Sequence, residues 1–167
     1  MGGAAGEWLL ALAQNVYFLA ALALYSVLTV LWVWILTFTP LSRAYEFGRA
    51  IRAACDAAPE RIALMGTGGI SHWPATPNSG KINVDWDREF LRRWSANDRA
   101  ALISYSDVET LRDAGQGGFE IRTLIAVAGA CEGRSGETWF CEPIPIFATS
   151  GFAGVMDVSE TASAKAA

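Results

Sequence analysis

The stretch Met65–Gly66–Thr67–Gly68–Gly69–Ile70–Ser71–His72 decides how the rest of this chain is read. It carries the only histidine, and it follows Arg61–Ile62–Ala63–Leu64–Met65. That short apolar run between turn formers reads as a buried strand. Three glycines in four residues let the backbone turn where a side chain would clash. A glycine loop at a strand end holds one polar side chain in a fixed place, and here that side chain is His72. A lone histidine is more often a structural or surface residue than a chemical one, and composition alone does not decide between them.

Working outward, Trp73–Gly80 contains two prolines, an asparagine and a glycine and reads as an ordered loop. Residues 83–94 read as a helix with Val84, Trp86, Phe90, Leu91 and Trp94 as its apolar positions, both tryptophans being assigned to the core. Ser106 and Glu109 form a capping box that starts a short helix ending at Gly115. Phe119–Cys131 is apolar and alanine-rich, a central helix with Glu120 in its first turn, where the helix dipole favours a carboxylate. Trp139–Ile146 and Gly154–Val158 read as strands, the first an edge or pocket wall because of its prolines. Before the glycine loop, Leu41, Ala44, Tyr45, Gly48, Ile51 and Cys55 recur on one helical face after Pro40. The alternation of helices and strands predicts an α/β fold with a small mixed sheet and flanking helices.

Residues 8–42 carry no charge. Within them, Val16–Phe38 would make a helix about 34 Å long, enough to cross a bilayer. Trp32 and Trp34 lie near one end, and Arg43, Arg49 and Arg52 follow, which would leave the C-terminal part in the cytoplasm. A cleaved signal peptide is disfavoured, since Glu7 is the only charge before the run and the run is long. Two other readings stay open: a buried segment, with the β-branched half Val27–Phe38 as a core strand, or a piece joined by a rearrangement or reading-frame change. The organisation predicted is an apolar segment over 1–39, one α/β domain over 40–158 and a disordered tail over 159–167.

Several function classes are excluded. With 167 residues and a net charge of −4, the chain lacks the basic face of a nucleic-acid binder. GTGG lacks the Gly-Lys-Ser/Thr ending of a phosphate loop and the spacing of a dinucleotide fingerprint. Ser71 beside His72 is not a nucleophile elbow. Zinc would need more ligands than one histidine and the scattered Cys55, Cys131 and Cys141, which read as reduced packing thiols.

The ordered set GTGGISHWP, GKINVDWDREFL, GQGGFEIRTLIAVAGA and EPIP resembles the class III extradiol ring-cleavage dioxygenases, the family of protocatechuate 4,5-dioxygenase large subunits. The resemblance runs from near Pro40, with PLSRAYEFGRAIRAA, to about Val158. It implies a non-haem Fe(II) enzyme that inserts O₂ into a catechol-type ring, with iron held by two histidines and a glutamate. By position in GGFEIRT, Glu120 matches the carboxylate ligand. By position in GTGGISH, His72 matches the second-sphere acid/base. Thr67, Gly68 and Gly69 would shape the wall beside the substrate, their N–H groups facing an anionic ligand. The family's two histidine ligands come from an N-terminal half, and His72 matches neither. The resemblance therefore implies the C-terminal part of a dioxygenase, inactive alone and completed by a second chain. The alternatives are a remnant, or a membrane-anchored binding or scaffold module without catalysis.

Overall fold

The computed structural model describes residues 15–158, the side chain of Leu36 excepted. Glu7 and the tail 159–167 lie outside the described residues. The chain divides into two compact units, one ending at Phe38 and the other beginning at Thr39.

The first unit is a single helix, α1 (Val16–Phe38). Asn15 caps it, its side-chain oxygen accepting from the N–H groups of Tyr17 and Phe18 at 3.0 Å. The hydroxyls of Ser26, Thr29 and Thr37 each donate to the carbonyl four residues earlier at 2.8 Å. The helix is apolar on all sides and exposed along its length. The strand alternative for Val27–Phe38 is thereby corrected: the segment is helical throughout.

The second unit is built on a helix pair. Helix α2 (Leu41–Ala57) buries Leu41, Ala44, Tyr45 and Gly48, the face its spacing predicts, while Ile51 and Cys55 are half-buried. It packs on α6 (Ile121–Ala130). The two backbones touch: a Cβ on Gly48 would lie 1.8 Å from the Ala126 carbonyl oxygen, and one on Gly129 2.0 Å from that of Tyr45. Between them in sequence come α3 (Val84–Ser95), α4 (Arg99–Ile103) and α5 (Asp107–Ala114). Asp85 and Asp87 open α3 and Arg92 and Arg93 close it, as the helix dipole favours. The Ser106–Glu109 capping box forms, with both bonds at 3.1 Å. A 3₁₀ turn, Gly117–Glu120, then leads into α6, so Glu120 stands at the cap of α6 rather than inside its first turn.

The core gathers Tyr45, Ile70, Phe90, Leu102, Ile121 and Ile125 at 1% exposure or less. Full burial of side chains this size contributes roughly 1.5–3 kcal/mol each. Trp94 is buried and donates its indole N–H to the Leu124 carbonyl at 2.9 Å. Trp86 packs at the core margin, stacked on Phe90 at 5.7 Å. The three cysteines are free thiols, and burial pushes Cys131 and Cys141 up, away from thiolate chemistry.

Strands β1 (Gly136–Ile144) and β2 (Thr149–Met156) pair antiparallel from Gly136 opposite Met156 to Ile144 opposite Thr149. A register shift falls between Thr138 and Phe140, and a 3₁₀ turn at Pro145–Phe147 joins the strands. The α/β character is as predicted, but the sheet among the described residues is a two-stranded antiparallel hairpin, not a mixed sheet. The predicted strand Arg61–Met65 is outside any ladder and exposed throughout. The physical reason is the want of a neighbour: a strand needs a partner for its main-chain groups, and none of the described residues supplies one.

Candidate active site

His72 is fixed through its main chain before its side chain does anything. Its N–H donates to the Ala114 carbonyl at 2.9 Å, and its carbonyl accepts from the Gly117 N–H at 3.2 Å. The loop thus hangs on the end of α5 and the start of the 3₁₀ turn, the turn that also delivers Glu120. The His72 Nε2 comes to 3.7 Å from the Glu120 Oε1, and both side chains are largely shielded, 15% and 23% exposed. The other carboxylate oxygen accepts from the Gly69 N–H at 2.5 Å.

The glycines are there for space as much as for turning. A Cβ on Gly69 would lie 2.3 Å from the His72 ring, and one on Gly117 2.2 Å from it, so the imidazole sits between two bare backbones. A Cβ on Gly68 would lie 2.9 Å from that of Glu120, and Gly68 also has φ +148°, a conformation L side chains rarely adopt. Thr67 is held through its carbonyl, which accepts from the Thr123 hydroxyl at 2.6 Å. The structure therefore brings His72, Glu120, Gly68 and Gly69 together, with Thr67 at the adjoining edge. The Gly69 N–H, expected to face an anionic ligand, is taken by the Glu120 carboxylate.

The electrostatics follow from the contacts. The Nδ1 of His72 lies 3.3 Å from the Ile70 carbonyl oxygen, which suits a proton on that nitrogen. A neutral ring would then turn a lone pair toward a carboxylate oxygen. A second proton, on Nε2, turns that repulsion into attraction, so the Glu120 carboxylate raises the His72 pKa against the opposing effect of burial. Burial pushes Glu120 up, but His72 and the Gly69 N–H outweigh it and hold the carboxyl below its usual value. A separation of 3.7 Å is beyond a direct hydrogen bond, and it becomes an ion-pair contact only when the ring is protonated. The cavity of about 320 Å³ bordered by Trp86, Arg93 and Tyr105 includes neither residue of this pair.

Sequence reading missed three supports. Asp87 is fully buried, accepting from the Ser71 N–H at 2.8 Å and from the Ser150 hydroxyl at 2.6 Å. Ser71, also fully buried, accepts from the Asn83 N–H at 2.7 Å. Gly117 provides the space described above. Asp87 had a visible signal: it stands at i, i+3, i+4, i+7 with Phe90, Leu91 and Trp94, an acid on the apolar stripe of α3.

Burial raises the Asp87 pKa above 3.8, partly offset by its hydrogen bonds to Ser150 and Ser71. Asp87→Ala leaves the Ser71 N–H and the Ser150 hydroxyl unpaired and is expected to cost about 2–4 kcal/mol; Asp87→Asn, which can still accept and donate, costs less. A raised native carboxyl pKa means that the folded state binds the proton first, so the wild type gains stability relative to Asp87→Asn as pH falls through the native value toward 3.8. Urea midpoints of both variants across that range check this. A wild-type advantage that shrinks as pH falls would contradict it.

Comparison with known proteins gives this geometry a context. Residues 16–152 match the profile of the family described as the catalytic LigB subunit of aromatic ring-opening dioxygenase. That match starts before the resemblance placed from Pro40 onward, and it takes in α1. Among curated proteins, the gallate dioxygenase of Pseudomonas putida is 33% identical over 52% of this chain and 26% of its own length. The 2,3-dihydroxyphenylpropionate/2,3-dihydroxicinnamic acid 1,2-dioxygenases of Paraburkholderia xenovorans and Photorhabdus laumondii are 25% and 26% identical over 54% and 53% of this chain. The chain spans 42% and 41% of those two relatives. With a profile match over most of its residues, the chain belongs to the family of catalytic LigB subunits of aromatic ring-opening dioxygenases.

Proposed function

We propose that this chain carries the proton-handling histidine and one carboxylate ligand of an extradiol-type, O₂-dependent ring-cleaving site for catechol-type compounds. A second polypeptide supplies the remaining iron ligands, and the chain alone is inactive. The observation that carries the reading is the pair His72 and Glu120, 3.7 Å apart behind a wall of glycines. The reaction class follows the family, and the relatives' names point to polyhydroxylated rings.

A resident Fe(II) does not fit the described residues. No group of three or more His, Cys, Asp or Glu side chains gathers among them, and His72 is the chain's only histidine. Glu120 offers one carboxylate, part of whose capacity the Gly69 N–H already uses. A two-histidine, one-carboxylate centre therefore needs ligands from elsewhere.

What these residues do by themselves is handle a proton. With Nδ1 turned to the Ile70 carbonyl, Nε2 is the atom that accepts a proton from a ring hydroxyl and returns it later. The substrate ring is placed beside Thr67, Gly68 and Gly69, the stretch that adjoins the pair.

Oxygen uptake with a panel of catechols and added Fe(II) tests this. One arm uses the full chain alone. The other adds the part of the Pseudomonas putida gallate dioxygenase outside the matched stretch. No uptake is expected from the chain alone, and uptake from the mixture. His72→Ala should lower it by about 10²–10⁴-fold, and Glu120→Ala should abolish it. Uptake by the chain alone contradicts the reading; none from the mixture favours the alternative, a remnant or membrane-anchored module without catalysis.

A second reading concerns location: α1 crosses a bilayer and leaves residues 40–158 on the cytoplasmic side. It is supported by a mean hydropathy of 2.2 over Val16–Ile35, by hydroxyls that satisfy themselves on their own helix, and by aromatic residues at both ends, Tyr17 and Trp32 with Trp34. Carbonate extraction of membranes should leave the chain in the pellet. Release into the soluble fraction would rule out a span.

A further inference from the structure

We infer that Arg61–Met65 is a docking edge to which the polypeptide completing this domain adds a β-strand. This rests on the reading above that a second polypeptide completes the site. The segment has strand composition and lies between Pro59 and Gly66. From Arg61 to Gly69 the backbone runs without bend or turn. Among the described residues, the main chain from Glu60 to Met65 makes no hydrogen bond. Its apolar side chains are bare: Ile62 is 53% exposed, Leu64 42% and Met65 81%. A straight, apolar, unpaired run of this kind is a template for strand addition.

The segment is also held in position. At its C-terminal end Gly66 lies against α6, where a Cβ would come within 2.9 Å of Val127 and 3.0 Å of the Thr123 carbonyl. The Thr67 carbonyl is bonded to Thr123, and Gly69 to Glu120. The open edge thus continues directly into the loop that bears His72. A strand added here would be a few residues from the site it has to complete.

The occupant is the rest of the family fold. This chain spans 26% of the gallate dioxygenase and 42% of the Paraburkholderia relative, so most of a complete subunit is polypeptide other than these residues. A second copy of this chain does not serve. It would bring only its own His72, already placed in its own loop, and no further imidazole.

The test uses the full chain in detergent and, as probe, the part of the Pseudomonas putida gallate dioxygenase outside the matched stretch. Amide hydrogen exchange at residues 62–65 should slow at least tenfold on mixing. Ala63→Pro and Leu64→Pro remove N–H groups from opposite edges of the run. Since neither N–H is bonded in the free chain, both variants should keep the parent helical circular dichroism, and at least one should bind the probe at least tenfold more weakly. Ala63→Ser, which keeps the N–H, should bind as the parent does. Absence of binding, binding with residues 62–65 unprotected, or binding untouched by both prolines overturns the inference. Protection of these residues by self-association before the probe is added overturns it too, assigning the edge to a second copy. Protection without oxygen uptake sinks the ring-cleavage reading and leaves the edge standing; uptake with residues 62–65 unprotected does the reverse.

Discussion

The site depends on a constraint of space: at three positions the backbone passes where a single methyl group would block it. The His72 ring is bounded by Gly69 on one side and Gly117 on the other, and the Glu120 side chain by Gly68. Each gap is smaller than a carbon–carbon contact, so any side chain at these positions would push imidazole and carboxylate apart. These glycines thus form a mould for two side chains, His72 from the glycine loop and Glu120 from a segment distant in sequence. The loop's flexibility matters at one position, Gly68, where φ is positive.

The rest of the unit holds that mould still. Helix α6 starts next to Glu120 and is pinned to α2 by backbone contact at Gly48 and Gly129. Arg122, 4% exposed, ties the start of α6 to the Thr39 carbonyl at 2.6 Å and to Asp107 at 2.7 Å. On the other side, Asp87 binds the loop at Ser71 and strand β2 at Ser150. A buried carboxylate is costly unless its oxygens are satisfied, and here both are used. The network converts that cost into one defined position for the residue that precedes His72.

Local rules were legible wherever the answer was local. The α2 face, the Ser106–Glu109 box and the Pro40 boundary follow from helical period and cap chemistry. The two strands expected at Trp139–Ile146 and Gly154–Val158 are present but shifted toward the N-terminus, to Gly136–Ile144 and Thr149–Met156, and their pairing as a hairpin is a finding of the structure. Arg61–Met65 was misread for a reason outside the segment: strand sequence specifies a strand only when a partner is present. Asp87 was passed over because an aspartate at the start of α3 is ordinarily a dipole partner, and only the stripe it shares with Phe90 and Trp94 reveals its burial. The pairing of His72 with Glu120 came from the family motifs, since no spacing rule links positions so far apart. Gly117 lay in view as punctuation, but its close contact with the imidazole is a fact of three dimensions.

The structure sets a histidine beside one carboxylate, in a family whose description is that of aromatic ring-opening dioxygenases. The central claim is that this chain supplies one of the three ligands of an iron site and cannot hold the metal alone. Anaerobic calorimetric titration of the purified chain with Fe(II) tests that claim most directly. The account predicts no saturable one-to-one binding, and no difference between the parent and Glu120→Ala. A saturable one-to-one site, lost in Glu120→Ala, would contradict it.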